Sequence, residues 1–441
     1  MSVSPAVVII DAVSKAAVVG AGIAGLGVAR ALARRGWEVH VFEQGTIGGG
    51  ATWGSAGWIC PTQAGPLPEP GLVSYGLRSL ADRESALFVH PLHAARLAGW
   101  FTRFALACNE HDHRRGVAAL ATLGYRAFEL VDELVADGVK FALHKRGMVA
   151  VAGAEGPVRT FLRSLEPARQ LGYEIPAEPV PGEQLRNLEP SLAPDLRWGV
   201  VIDDHWHVDS SELAVALGAH LRTRGVRIDE CLRVESVVVE RGHTQGVRTS
   251  AGTFDADAVV LAAGAWTSVL ARAIGVRIPI VGGKGYSFIV RPHVMPTRAI
   301  YLLEPHVGCS PLGDVLRVAG TMEFSGLNSG IDPRRVETIK RRTRPLVGWD
   351  VDSEGEPWAG LRPIAPDGLP VIGQLGDIDG LFVASGYSML GITVGLPAGE
   401  LLAEAIATGS NGELLDGFSP GRFAGAVRRR ITRRAAARKR R

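Results

Sequence analysis

Between Lys15 and Gln44 the chain reads KAAVVGAGIAGLGVARALARRGWEVHVFEQ, and no other stretch restricts its fold so tightly. AAVV is an apolar run of strand length, and GAGIAG is a tight glycine turn. LGVARALARRG carries apolar residues at helical spacing and stops at Gly36, and EVHVFEQ alternates with period two. Strand, glycine turn, helix and strand form a βαβ unit, whose two strands must lie parallel in one sheet.

The glycines at 20, 22 and 25 have distinct roles in such a turn. Gly20 allows the tight bend, Gly22 lets the backbone approach a pyrophosphate, and Gly25 permits close helix–strand packing. The start of the helix offers free N–H groups and a positive dipole end to the phosphates. Glu43 ends the second strand, 18 residues past Gly25, where a carboxylate can accept from both ribose hydroxyls of an adenine dinucleotide. It also disfavours NADP, because it would repel a 2′-phosphate. The unit alone leaves FAD and NAD open.

The 441 residues exceed what one core usually supports, so two or more units are expected. After the first unit, residues 81 to 140 read mostly as helix, and from HKRGMVAVAG onward short strands alternate with helices. SSELAVALGAHLRTRGVRI is a capped helix ending at Gly225. LFVASG reads as a last buried strand and GELLAEAIATG as a last helix. The pattern is α/β with interleaved parts, so the domains are expected to be discontinuous. No run reaches the roughly 18 apolar residues of a membrane span, and residues 1–13 read as an extension rather than a secretion signal.

The four cysteines, Cys60, Cys108, Cys231 and Cys309, form no CxxC pair, which argues against a disulfide framework and fits a reducing cytoplasm. The tail RRRITRRAAARKRR, Arg428 to Arg441, holds nine basic residues and no acidic one; without them a net charge of +3 becomes −6. A solubilising end is the plain reading of it. Contact with anionic lipid at the inner face of a membrane is the functional one.

Three later stretches select the cofactor. TIGGGATWGSAGWICP, residues 46 to 61, is bare enough to lie along an extended cofactor. ADAVVLAAGAWTSVL, 256 to 270, resembles the strand end that closes over the cofactor in two-dinucleotide-type flavoproteins. WAGLRPIAPDGLPVIGQLGDIDGLFVASGYSMLGIT, 358 to 393, completes the set. With GKGYS at 283 to 287 these motifs resemble, in order and spacing, the D-amino acid oxidase-like superfamily of FAD enzymes. They are most similar to its bacterial D-amino acid dehydrogenase small-subunit type, with glycine and sarcosine oxidases as relatives. The resemblance runs from about Lys15 to Ile406.

It implies a Rossmann-like FAD-binding domain of the two-dinucleotide type, from residues 14–80, 205–275 and 359–425. A mixed-sheet α+β substrate domain would come from 81–204 and 276–358, with a basic tail at 426–441. FAD, expected to be non-covalent, would lie against Gly20, Gly22, Ile23, Ala24, Gly25, Glu43 and Gln44. Ala51, Thr52, Ser55, Ala56, Gly57 and Trp58 would follow, then Val234, Ala263, Gly264 and Trp266. Arg362, Gly386, Leu390, Gly391, Ile392 and Thr393 complete the implied set. GYSMLGIT would pass under the flavin ring, and the helix after it would stabilise negative charge on reduction.

The implied chemistry is hydride transfer from an amine-bearing carbon to the flavin, giving an imine that hydrolyses to the keto acid. Arg362, in GLRP, matches the family arginine that forks onto the substrate carboxylate. Tyr387 stands where the commonest dehydrogenase form has His, and Ser388 where it has Gly. Related oxidases have a tyrosine near His306 that this chain lacks. Tyr301 or Tyr286 would have to substitute. These departures leave the reaction class intact and open the substrate to cyclic imino acids or secondary amines. Catalysis is therefore expected of Arg362 and Tyr387, and substrate binding of both together with Tyr286, Tyr301 and His306.

Other features carry less. His205 and His207 invite a metal, but no third ligand is placed, so they read as surface-loop or cavity residues. Trp53 and Trp58 read as packing beside the cofactor. Cys60 and Cys309 could hold a covalent flavin, yet nothing selects them. Two alternatives stay open: a glycine- or sarcosine-type oxidase using oxygen, and a tRNA-modifying flavoprotein that would use the basic tail. Against the second, neither the tail nor RRVETIKRRTR (334 to 344) interleaves aromatics for base stacking. The expected partners are an amino acid or amine and an electron acceptor, either oxygen or a membrane quinone.

Overall fold

The βαβ unit forms as its sequence requires. Strand Lys15–Val19 passes through the glycine turn into helix Ile23–Ala33, and strand Glu38–Phe42 returns parallel to the first. The computed structural model describes residues 13–79, 85–194, 196–352, 354–410 and 412–423. Residues 1–12 of the expected extension and the whole basic tail lie outside the described residues.

The unit nucleates a six-stranded sheet in the order Arg227–Asp229, Glu38–Phe42, Lys15–Val19, Ala258–Leu261, Leu381–Ser385 and Val371–Gln374. The first five are parallel and the last is antiparallel. The parallel strands are apolar on both faces because helices and a small antiparallel sheet cover them. A nine-stranded mixed sheet carries Val281–Val290 between Val315–Phe324 and Glu354–Ile364.

Strand Glu354–Ile364 runs unbroken through the expected 358/359 domain boundary, so residues 359–364 pair in the nine-stranded sheet. Backbone pairing, which composition does not report, decides that point.

The C-terminal helix corrects a second expectation. It spans Gly391–Thr408, so it starts eight residues before GELLAEAIATG and includes Pro397. It crosses helix Ile23–Ala33 at a contact of glycines. A Cβ on Gly27 would lie 2.7 Å from the Gly395 carbonyl oxygen, and one on Gly399 would lie 2.5 Å from the carbonyl carbon of Gly27. Buried Arg30 ties the same corner by ion pairs to Glu133, Asp137 and Glu400. Among the described residues no helix is long and apolar enough to cross a membrane.

Candidate active site

A single extended cavity of about 1470 Å³ runs from the glycine turn to the nine-stranded sheet. That exceeds the roughly 300–1,000 Å³ of an ordinary small-ligand pocket. It suits a dinucleotide with a substrate beside it. Gly20, Gly22, Ile23 and Ala24 line it, with Glu43 and Gln44. Ala51, Thr52, Ser55, Ala56, Gly57 and Trp58 follow, and Val234, Ala263, Gly264 and Trp266 also face it. Leu390, Gly391 and Ile392 bring the start of the C-terminal helix to the same wall.

The glycines separate into two kinds. Gly20 has φ +110°, and a Cβ there would meet the Ala262 carbonyl oxygen at 2.5 Å. A Cβ on Gly25 would collide with the Gly20 carbonyl oxygen. Both are bare because the protein leaves no room. Gly22 differs: its Cβ would touch only Thr52 Oγ1, at 3.4 Å, so what it leaves clear is cavity space. Glu43 takes hydrogen bonds from the Ala21 and Gly45 amides at 2.8 and 2.9 Å. The carboxylate is thereby held in place, with lone pairs to spare for sugar hydroxyls. These residues fit FAD.

Three expected contacts are not part of the wall. Gly25 packs helix to strand, and Gly386, at φ +79°, makes a turn against Val371. Thr393 turns its hydroxyl to the Trp58 carbonyl at 3.0 Å and accepts from the Cys60 amide at 3.1 Å. It pins the helix to the strand Trp58–Ile59 and does not line the cavity.

Arg362, Tyr387, Tyr301 and His306 all line the cavity. The Arg362 guanidinium lies over Gly285, where any Cβ would collide with it. One nitrogen donates to the Thr321 carbonyl at 2.6 Å, and among the described residues no carboxylate pairs with it. Burial pushes its pKa down to about 10. Tyr387 is 3% exposed, and its hydroxyl is buried without a hydrogen-bond partner, which pushes the phenol up. The Tyr301 hydroxyl lies 3.3 Å from His306 Nδ1, and its ring meets that of Trp58 edge-on at 5.6 Å.

Tyr286 is held from behind. Its hydroxyl donates to Glu323 at 2.7 Å, and Lys284, two residues along the same strand face, ion-pairs that carboxylate at 3.0 Å. Tyr286 also lines the cavity, and its phenol oxygen, while tied to Glu323, keeps lone pairs that can accept.

The histidine pair is neither on the surface nor in the cavity. His205 and His207 are fully buried. His207 donates to the Pro311 carbonyl at 3.0 Å and stacks on His144. Burial holds His207 down to about 4, so it packs as a neutral ring. Among the described residues no three acidic, histidine or cysteine side chains gather to hold a metal.

Ser388 has φ +50°, a left-handed conformation that glycine adopts more readily. Its hydroxyl is also buried without a partner. Ser388→Gly is therefore expected to raise stability by about 1 kcal/mol, measured as a higher urea midpoint of the FAD-loaded protein. An unchanged or lower midpoint contradicts this. Cys60 lines the cavity, but burial raises its thiol to about 11; Cys309, raised to about 12, does not line it. Neither is an activated thiolate. Acid precipitation should release all the yellow colour into the supernatant, and colour left in the pellet would show a covalent link.

Sequence reasoning missed Glu69, Met322 and Met389, which also line the cavity. Glu69 stands in the proline-rich loop PTQAGPLPEPG, and that density of proline was the available signal of an ordered surface loop.

A glycine cradle, an acidic strand end and one cavity spanning both sheets define a flavin-dependent oxidoreductase. The profile of the family described as FAD dependent oxidoreductase matches residues 15–405, and the chain belongs to that family. It is 30% identical over 402 residues to the D-amino acid dehydrogenase of Cereibacter sphaeroides, covering 88% of this chain and 91% of that one. It is 30% identical over 421 residues to the D-amino acid dehydrogenase of Paramagnetospirillum magneticum, covering 93% and 99%. Glycine oxidase from Geobacillus kaustophilus superposes with a TM-score of 0.71 at 23% identity, covering 92% of this chain and 98% of that one. L-proline dehydrogenase from P. horikoshii superposes with a TM-score of 0.69 at 20% identity, covering 94% and 98%. At such identities the structures share the fold.

Proposed function

We propose that the chain oxidatively deaminates an amino acid, with D-amino acids and cyclic imino acids first among its substrates. The observation that carries this is Arg362: a buried cation on the cavity wall that lacks a carboxylate partner among the described residues. An unpaired buried charge is strongly unfavourable, and a substrate carboxylate would satisfy it through the guanidinium fork. The two dehydrogenase relatives point to the same substrate class.

Bound FAD supplies the two-electron acceptor. Arg362 fixes the carboxylate, and so the position of the neighbouring carbon. Met322, Phe324 and Leu67 contribute apolar wall that excludes water. The carbon gives up a hydride and the amine nitrogen a proton. The imine of a primary amine then takes up water to give the keto acid and ammonia, whereas a cyclic imine takes up water and opens to an amino keto acid with its nitrogen retained. The helix beginning at Gly391 turns its N-terminal end to the cavity, where unsatisfied N–H groups favour negative charge.

The final acceptor in this proposal is oxygen or a membrane quinone, and the protein works in the cytoplasm or against the membrane's inner face. The test is anaerobic mixing of the yellow protein with D-, L- and N-alkyl amino acids and proline derivatives. Bleaching of the flavin band by one group establishes the reaction and its stereochemistry, and admitting air then separates oxidase from dehydrogenase. No bleaching by any of them rejects the proposal.

A further inference from the structure

Of the charged groups on the cavity wall, most have a visible role. Glu43 is fixed by two amides, and Arg233 stands beside it at the dinucleotide end, where the Leu232 amide bonds the Glu43 carbonyl. Glu304 accepts from the Gly153 amide at 2.8 Å. His113 bonds the Pro68 carbonyl at 3.1 Å, and His306 meets Tyr301. Arg362 awaits a carboxylate. Glu69 remains: it is an exposed residue that lines the cavity, and among the described residues its carboxylate has no hydrogen-bond or ion-pair partner.

We propose that Glu69 receives a cationic side chain, so that the substrate is an amino acid with an ammonium or guanidinium at the end of an extended alkyl stem. This rests on the amino-acid reading given above. The cavity then holds two opposite charges at separate places, each lacking the partner that one zwitterionic, basic amino acid would bring.

The spacing agrees. From Arg362, the sheet runs from strand Glu354–Ile364 through Val281–Val290, Val315–Phe324 and Val307–Leu312 to Ala299–Leu302. Arg362 reaches over to the Thr321 carbonyl on the third of these, and Tyr301 stands on the last. Two strand spacings, about 10 Å, separate the strands of Thr321 and Tyr301. Burial raises the pKa of the Tyr301 phenol, and the charge of Glu69 adds to it. The apolar residues Leu67, Val117 and Met389 line the same cavity, where an alkyl stem would pack. Enclosure by the protein favours the neutral acid of Glu69, with His113 opposing it. An incoming cation would draw it back to carboxylate.

The test compares flavin bleaching, without air, by both enantiomers of ornithine, lysine and arginine with that by norvaline, norleucine and methionine. The wild type should favour a basic amino acid over its neutral counterpart by about 10- to 100-fold in reduction rate over Kd. Glu69→Gln should bring that ratio close to one while the protein stays folded and yellow. Glu304→Gln should leave the preference in place. Equal rates for lysine and norleucine in the wild type overturn the inference and leave amino-acid oxidation standing. So does a preference that survives Glu69→Gln, or one that is lost in Glu304→Gln instead. If no amino acid of either kind bleaches the flavin, amino-acid oxidation fails and the inference fails with it.

Discussion

Arg362→Ala is expected to lower kcat/KM about 10³-fold, or roughly 4 kcal/mol, and to leave the protein yellow and folded. The size follows from where the guanidinium lies. It is buried, donates to one backbone carbonyl and has no carboxylate of the described residues to satisfy it. A carboxylate bound there is desolvated and held at two points, where a charge-assisted pair is at its strongest. Arg362→Lys keeps the charge without the fork and should recover only part of the loss. Gly285→Ala gives an independent check, because its Cβ collides with the guanidinium from below without removing it. A loss below about tenfold in Arg362→Ala would remove the arginine from substrate binding.

Gly25→Val should yield no soluble yellow protein at all. A Cβ at this position overlaps the Gly20 carbonyl oxygen, which is backbone and held in a turn with the Gly20 amide bonded to the Phe42 carbonyl at 2.8 Å. Neither partner can yield without opening the first strand and helix. Gly22→Ala is the informative contrast. Its Cβ meets no protein atom closer than 3.4 Å, so the chain should fold and melt normally while its affinity for FAD drops by about tenfold or more. Flavin absorbance per protein and a thermal melt, measured on both variants, separate the two outcomes. Normal flavin content in Gly25→Val would refute the packing account.

Residues 15–44 were legible because glycine spacing and hydrophobic period both report local backbone geometry. GLRP was legible for a similar reason: a proline holds Arg362 on a strand end. What the sequence hid is set by long-range pairing. Tyr286 and Tyr301 look equivalent as candidates and both line the cavity, yet long-range pairing ties the first to Glu323 and sets the second beside His306. His205 and His207 look like a surface pair, because nothing nearby in sequence announces the sheet that covers them. Gly395 and Gly399 look like weak points in a helix. Their use appears only when Gly27, some 370 residues away, is laid across them.

That crossing also orders events during synthesis. The cradle for the dinucleotide needs the first strand and helix, the partner strand Ala258–Leu261, and the closing helix Gly391–Thr408. A ribosome that has made the first two-thirds of the chain has exposed only part of the pocket, with one face of the first helix bare. Loading of the flavin is therefore a late step, and the yellow colour of a preparation reports how many chains were finished as well as how many folded.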